Sequence, residues 1–340
     1  MASELFRDKR VLVTGGTGTI GSAIVAELLA GAPAAVRVIS RDDTKQFELA
    51  QQHRGAAPLR MLIGDVRSRE RMTRAMAGVD YVFHAAALKH VPACEFNPFE
   101  ATETNVRGTQ NVVEAAIDAG VDRVLGISTD KAVDPTNVMG ATKLLAERLL
   151  SAAESYKGPS ATRFASVRFG NVIGSRGSLV PLVYGQVARG GPVTITDPQM
   201  SRYLMPIGDA VRLCFSAMDT MRGGEVFVLK MPRVRVGDLV EVLIEAYAPI
   251  FGFRAAEIVI ETIGSRQGEK LHETLLTEDE ALTADEVDGM YVIAGSRTPR
   301  ADGTAVAGGR GDEPLLERAA IRDLLGAAGW LQPNRLPSLG

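Results

Sequence analysis

Cysteine is scarce in this 340-residue chain, with Cys94 and Cys214 far apart and at no spacing that suits a metal. Two such residues cannot build a disulfide scaffold and are expected as reduced, buried thiols. No cluster of His, Cys or carboxylates is spaced to hold a metal. His90 and His272 have no evident partner and are assigned no role. Excess charge is lacking too. A net charge of -3 gives no basic field for nucleic acid. No apolar run is long enough to span a bilayer. Met1–Arg10 is charged and leads directly into a strand, unlike a signal peptide. The expected setting is therefore cytoplasmic.

What the chain does contain is an alternation of short apolar runs and helical stretches over its first half. Strands are expected at Arg10–Thr14, Val36–Ser40, Arg60–Ile63, Tyr81–His84, Arg123–Ser128 and Ser166–Gly170. Helices are expected at Gly21–Ala30, Phe99–Ala119 and Met139–Ser155. Such alternation predicts an α/β fold, a doubly wound parallel sheet covered on both faces. After Asn171, Gly and Pro become frequent and strand-like pieces such as Pro192–Thr196 and Glu225–Lys230 mix with helices. A dinucleotide-binding domain is thus expected over residues 1–170 and a smaller mixed α/β, substrate-binding region over 171–340. Within the latter, Asp238–Phe251 reads as a helix with Asp238 as N-cap, and about 238–260 is expected to return to the main sheet. Thr298–Glu313 lacks periodicity and is expected to be a mobile loop. Leu315–Leu331 reads as a terminal helix.

The first strand runs into Gly15-Gly16-Thr17-Gly18-Thr19-Ile20-Gly21. Gly15 permits a tight turn, Gly18 lets backbone approach a pyrophosphate, and Gly21 lets helix and strand pack closely. The following helix N-terminus offers free N–H groups to phosphate. This is a dinucleotide-binding loop, with Thr17, Thr19 and Ile20 along it. The second strand ends in Ser40-Arg41 rather than in an acid, which favours the 2′-phosphate of NADP. Asp42 or Asp43 leaves NAD open. Asp65-Val66, after the third strand, is expected beside the adenine, or as a helix N-cap. Ala85 and Ala86, after the fourth, are small enough for backbone to lie along the cofactor.

The chemistry is expected in Ser128-Thr129-Asp130-Lys131, at the C-terminal end of a sheet strand, and in Met139 to Lys143, one helical turn apart. Together with the glycine loop, His84-Ala-Ala-Ala-Leu-Lys-His-Val-Pro92, Arg168-Phe-Gly-Asn-Val172 and Gly268-Glu-Lys270, these segments resemble the UDP-N-acetylglucosamine 4,6-dehydratase branch of the extended short-chain dehydrogenases/reductases. The resemblance covers nearly the whole chain. It implies a Rossmann-type core and a tightly bound, recycled nicotinamide cofactor. One departure stands out: the tyrosine of the general reductase pattern is Met139, which cannot transfer a proton.

The resemblance implies that Asp130 protonates the departing C6 hydroxyl, that Lys131 removes the C5 proton, and that Lys143 holds the nicotinamide ribose. With Met139 inert, Asp130, helped by Thr129, is expected to accept the C4 proton. Lys89, Asn171, Ser178, Arg202, Arg266 and Glu269 are candidates for the UDP-sugar, as is Arg168, since arginine forks suit a pyrophosphate. A homo-oligomer, dimeric or a larger even assembly, is implied through helices such as Phe99–Ala119. Retention at C5 is favoured over inversion. Two alternatives stay open: a nucleotide-sugar 4-epimerase, and a non-catalytic cofactor-binding protein.

Overall fold

The computed structural model describes residues 4–295 and 304–332. In chain order its elements begin β1 (Arg10–Thr14), α1 (Thr19–Ala30), β2 (Ala35–Ser40), α2 (Asp43–Gln52), β3 (Leu59–Ile63), α3 (Arg69–Met76), β4 (Tyr81–His84), α4 (Val91–Phe96) and α5 (Pro98–Ala101). They continue with α6 (Gly108–Ala119), β5 (Arg123–Ile127), α7 (Val138–Tyr156), β6 (Arg163–Arg168), β7 (Asn171–Val172), α8 (Leu179–Val187), β8 (Val193–Ile195) and β9 (Ser201–Met205). The remainder are α9 (Ile207–Thr220), β10 (Val226–Leu229), β11 (Arg233–Arg235), α10 (Val236–Tyr247), β12 (Ile260–Thr262), α11 (Glu278–Thr283), β13 (Ala284–Val287), β14 (Met290–Ile293) and α12 (Arg318–Ala327).

These divide into two compact units. The first comprises Met1–Arg168, Ala210–Leu229 and Leu276–Ala307. Its nine-stranded sheet has the order β13-β14-β10-β6-β5-β4-β1-β2-β3. From β3 to β10 every pairing is parallel, and β14 and β13 add an antiparallel edge. Order 3-2-1-4-5-6 is the doubly wound dinucleotide arrangement, whose chain reversal beside β1 opens a crevice at the strands' C-terminal ends. β1 and β4 are wholly buried apart from Arg10, as both faces of a parallel sheet are covered. The helix expected over Phe99–Ala119 is α5, a π-type turn over Thr102–Arg107, and α6 in succession.

The second unit comprises Phe169–Asp209, Lys230–Leu275 and Gly308–Gly340. It carries the sheets β11-β9-β7 and β12-β8. Its core gathers Val180, Val183 and Val187 of α8, Leu239, Val240 and Leu243 of α10, and Ile321 and Leu325 of α12.

Three expectations need correction. The 238–260 stretch does not return to the main sheet, because the apolar face of α10 is buried against α8 and α12. The segments that join the large sheet are β10, β13 and β14. Asp238 is not an N-cap: Arg235 holds that position, and Asp238 lies inside the first turn of α10. Of the loop expected to be mobile, residues 298–303 lie outside the described residues, and the rest is held. Val306 N–H bonds Ala281 O at 2.8 Å, Tyr203 Oη donates to Glu313 at 2.6 Å, and Arg233 donates to the Gly311 and Glu313 carbonyls.

Candidate active site

Gly15 turns the chain out of β1 at φ 65°, and a Cβ there would stand 2.7 Å from the Ala86 backbone. A Cβ on Gly21 would fall 2.4 Å from Gly15 O. Gly18 is the N-cap of α1 and offers no side chain to the helix terminus. The first-turn N–H groups of a twelve-residue helix thus face a bare backbone cradle. A dinucleotide pyrophosphate fits that donor set, with Thr17 buried and Thr19 and Ile20 half-buried along it.

At the end of β2, Ser40 Oγ accepts from Gln46 Nε2 at 3.1 Å. Arg41 is half exposed, with its guanidinium 3.7 Å from Asp65. Asp42 is committed elsewhere: it caps α2 through Lys45 N and pairs with Lys45 Nζ. Asp65 caps nothing, because Ser68 is the N-cap of α3. Its carboxylate instead takes Arg67 N at 2.9 Å and Arg67 Nε at 2.8 Å. Partial burial opposes its ionisation, but the hydrogen bonds and charge of Arg67, with Arg41 behind, hold it below the usual carboxylate value. Val66 is buried against Gly108.

Behind this surface runs a hydrogen-bonded chain that sequence inspection did not find. Ala86 N–H bonds Thr14 Oγ1 at 3.3 Å. Thr14 Oγ1 and Thr109 Oγ1 bracket the His84 ring, 2.7 Å from Nδ1 and 3.0 Å from Nε2. Thr109 gives its proton to Asn105 O at 2.6 Å, so it accepts from His84 Nε2–H, and Thr14 donates to Nδ1. Asn105 in turn bonds both backbone groups of Leu88 and reaches Thr142 Oγ1 at 3.0 Å. The signal was present as Asn105 and Thr109, four residues apart on one helical face, but their partners lie far away in the chain. Burial, with the Lys143 charge beside it, pushes the His84 pKa down to about 3. The ring is therefore neutral.

The catalytic candidates follow β5. Thr129 caps a short turn, Asp130–Ala132. Thr129 Oγ1 donates to Asp130 Oδ1 at 2.8 Å, and Lys131 Nζ donates to the same oxygen at 3.0 Å. Asp130 is fully buried, and its Oδ2 has no hydrogen-bond partner among the described residues. An unsatisfied buried carboxylate oxygen is costly and available to an incoming hydroxyl or proton. Lys143 Nζ donates to Ile127 O at the end of β5. Burial lowers its pKa to about 8, against a smaller opposing pull from Glu147. Met139 has withdrawn into an apolar cluster with Cys94, Ala101, Leu88 and Val91. Gly140 is needed beside it, since a Cβ would meet Lys131 O at 2.2 Å.

In the second unit, Arg202 is 7% exposed and donates to Ser201 O and Leu271 O, with Glu269 3.5 Å away. Glu269 also accepts from Arg266 N at 3.3 Å. Those three expected residues therefore form one cluster. Asn171 opens β7, and Ser178 is the N-cap of α8. Lys89, in the first unit, is exposed. His272, given no role from sequence, bonds Ser201 Oγ through Nδ1 at 2.9 Å. Arg168 is not free to bind pyrophosphate. It is 1% exposed and forks onto Glu147 and Glu280 at 2.7 and 2.8 Å, because its position in central strand β6 turns it into the core.

Residues 11–295 match the family model described as polysaccharide biosynthesis protein. An "uncharacterized membrane protein" of Methanocaldococcus jannaschii is 53% identical, over 86% of this chain and 87% of its own. No helix among the described residues is long and apolar enough to cross a membrane. A UDP-N-acetylglucosamine 4,6-dehydratase (inverting) of Campylobacter jejuni is 40% identical, covering 86% and 84% of the two chains. A UDP-glucose 4-epimerase of Rickettsia typhi is 43% identical, covering 85% and 84%. The X-ray structure of Pen from Bacillus thuringiensis superposes with a TM-score of 0.90 at 46% identity, over 95% and 98% of the two chains.

Proposed function

The chain belongs to the polysaccharide biosynthesis protein family, and from that premise we propose that it is a nucleotide-sugar 4,6-dehydratase acting on UDP-N-acetylglucosamine. The observation that carries this is the Asp130–Lys131 pair, one amine and one carboxylate sharing a hydrogen bond after β5, with Met139 where the reductase pattern has its tyrosine. The glycine cradle supports a nicotinamide dinucleotide, and Ser40 with Arg41 supports NADP.

A bound nicotinamide supplies reversible hydride storage, so that C4 is a ketone while the C5 proton is acidic. The chain's own residues then balance the protons. Asp130 begins as carboxylate and Lys131 as neutral amine. The C4 hydroxyl proton passes to Asp130, with Thr129 bridging. Lys131 takes the C5 proton and Asp130 returns its proton to the C6 hydroxyl, which leaves as water. After water leaves, Lys131 is an ammonium beside the Asp130 carboxylate, a pairing that their 3.0 Å contact permits. Each such proton transfer is worth about 10²–10⁴-fold. Lys131 then gives its proton back to C5 as C6 is reduced, ending as neutral amine. Return of that proton to the face it left would retain the configuration at C5, the outcome proposed here, whereas the Campylobacter relative is named inverting. Lys143 holds the nicotinamide ribose. Arg202, Arg266 and Glu269, with Asn171, Ser178 and Lys89, serve the UDP-sugar.

Epimerisation at C4 is the second reading, favoured by the name of the Rickettsia relative. It needs proton transfer at C4 alone, which would leave the Lys131 amine beside Asp130 without a task. Incubation with UDP-N-acetylglucosamine in deuterated water separates the two. A dehydratase yields a 4-keto-6-deoxy product one water lighter, and NMR reads its C5 configuration. An isomer of unchanged mass would refute dehydration. Asp130→Asn should block both water loss and cofactor reduction. Substrate-dependent reduction in that variant would remove Asp130 from the C4 step.

A further inference from the structure

The family model ends at residue 295, yet a folded C-terminal piece follows it. Helix α12 is fastened to α10 by buried Ile321 and Leu325 and by ion pairs of Arg318 with Glu241 and of Arg322 with Glu245. The chain then turns back, Trp330 N–H bonding Leu325 O at 2.9 Å, and the Trp330 carbonyl takes Tyr247 Oη at 2.8 Å. These bonds bring the chain's single tryptophan down on Gly174. A Cβ at Gly174 would stand 1.9–2.2 Å from three indole atoms, and Gly174 has φ 74°. No other residue type fits beneath that ring.

Gly174 lies in the loop from β7 to α8, which has Asn171 at one end and Ser178 at the other. Ser178 forms no capping bond, and its buried hydroxyl has no hydrogen-bond partner among the described residues. We infer that Trp330 is a positioning residue for nucleotide-sugar binding: seated on Gly174, it fixes the Asn171–Ser178 loop in its binding shape, so that the C-terminal segment sets affinity for the uridine diphosphate moiety. The inference rests on the UDP-sugar reading of that loop. Trp330 is half-buried at the rim of the second unit's core rather than within it. Its removal should therefore loosen the loop more than it destabilises the fold.

The test is titration of UDP into the cofactor-loaded protein, followed by calorimetry and by tryptophan emission. Wild-type emission should shift saturably at the calorimetric Kd. Trp330→Ala should weaken UDP binding about tenfold, the cost of ordering one or two loop residues anew. Its NADPH affinity and Tm should stay near wild type. Trp330→Phe should restore part of the UDP affinity. Gly174→Ala, which drives the indole off and also strains the loop at φ 74°, should weaken UDP binding at least as much as Trp330→Ala, and Trp330→Phe decides if Trp330→Ala fails to fold. If wild type binds UDP while the variants keep its Kd, with or without an emission change, the positioning role is wrong and the UDP-sugar reading stands. If calorimetry detects no UDP binding to wild type, that reading falls and takes this inference with it.

Discussion

His84 Nδ1 lies 2.7 Å from Thr14 Oγ1, joining the last residues of neighbouring strands β4 and β1 directly beneath the glycine loop. With Thr109 on its other nitrogen, the ring is held neutral and in one tautomer. Its pKa falls from 6.5 unfolded to about 3 folded. The unfolded chain therefore binds a proton that the native state refuses, and stability present above pH 6.5 erodes as pH falls toward 3. The slope for one proton is about 1.4 kcal/mol per pH unit. His84→Gln cannot titrate. Its unfolding free energy, measured in urea from pH 7 to 4, should fall less steeply than that of wild type. Parallel slopes would mean that His84 is not the group.

Lys143, with its pKa near 8, is charged below that pH and neutral above it. If its charge supplies the field near C4, kcat/KM should decline above about pH 8. Lys143→Arg, which stays charged, should lose that alkaline limb whatever its absolute rate. An unchanged limb in the arginine variant would assign it to another group.

Arg168 neutralises two buried carboxylates at once. Arg168→Met should cost about 3–5 kcal/mol by leaving both uncompensated. Adding Glu147→Gln and Glu280→Gln should recover part of this in thermal unfolding. UDP affinity of the folded fraction should not change, and a large loss there would reinstate Arg168 as a ligand.

Arg41 is half exposed and forms one long ion pair, so its removal should hardly affect Tm. Arg41→Ala should weaken NADPH binding by about tenfold or more, the value of a charge-assisted hydrogen bond to phosphate, and leave NADH binding nearly as it was. Fluorescence titration with both coenzymes checks this. Equal losses for the two would remove Arg41 from the choice between them.

Much of the first unit was legible because its signals are local. Gly15, Gly18 and Gly21 work through backbone geometry within seven residues, and β1, β4 and β5 announce themselves as short apolar runs. Thr129, Asp130 and Lys131 are sequence neighbours, so their contact needed no fold to predict. Asp42 was harder. From sequence it reads only as an acid that could serve NAD, and the turn into α2 makes it a helix cap.

The sequence by itself determined the alternation of strands and helices, the glycine turn, and the presence of an acid beside an amine with methionine in place of tyrosine. These depend on residue type and on neighbours within a few positions. Tertiary structure alone decided that His84 links Thr14 to Thr109, that Arg168 is buried between carboxylates 21 and 112 residues away, that α10 packs on α12 rather than on the large sheet, and that an indole 156 residues downstream sits over Gly174. Each of these is a contact between distant segments. Its energy depends on distance and desolvation, which no reading along the chain supplies.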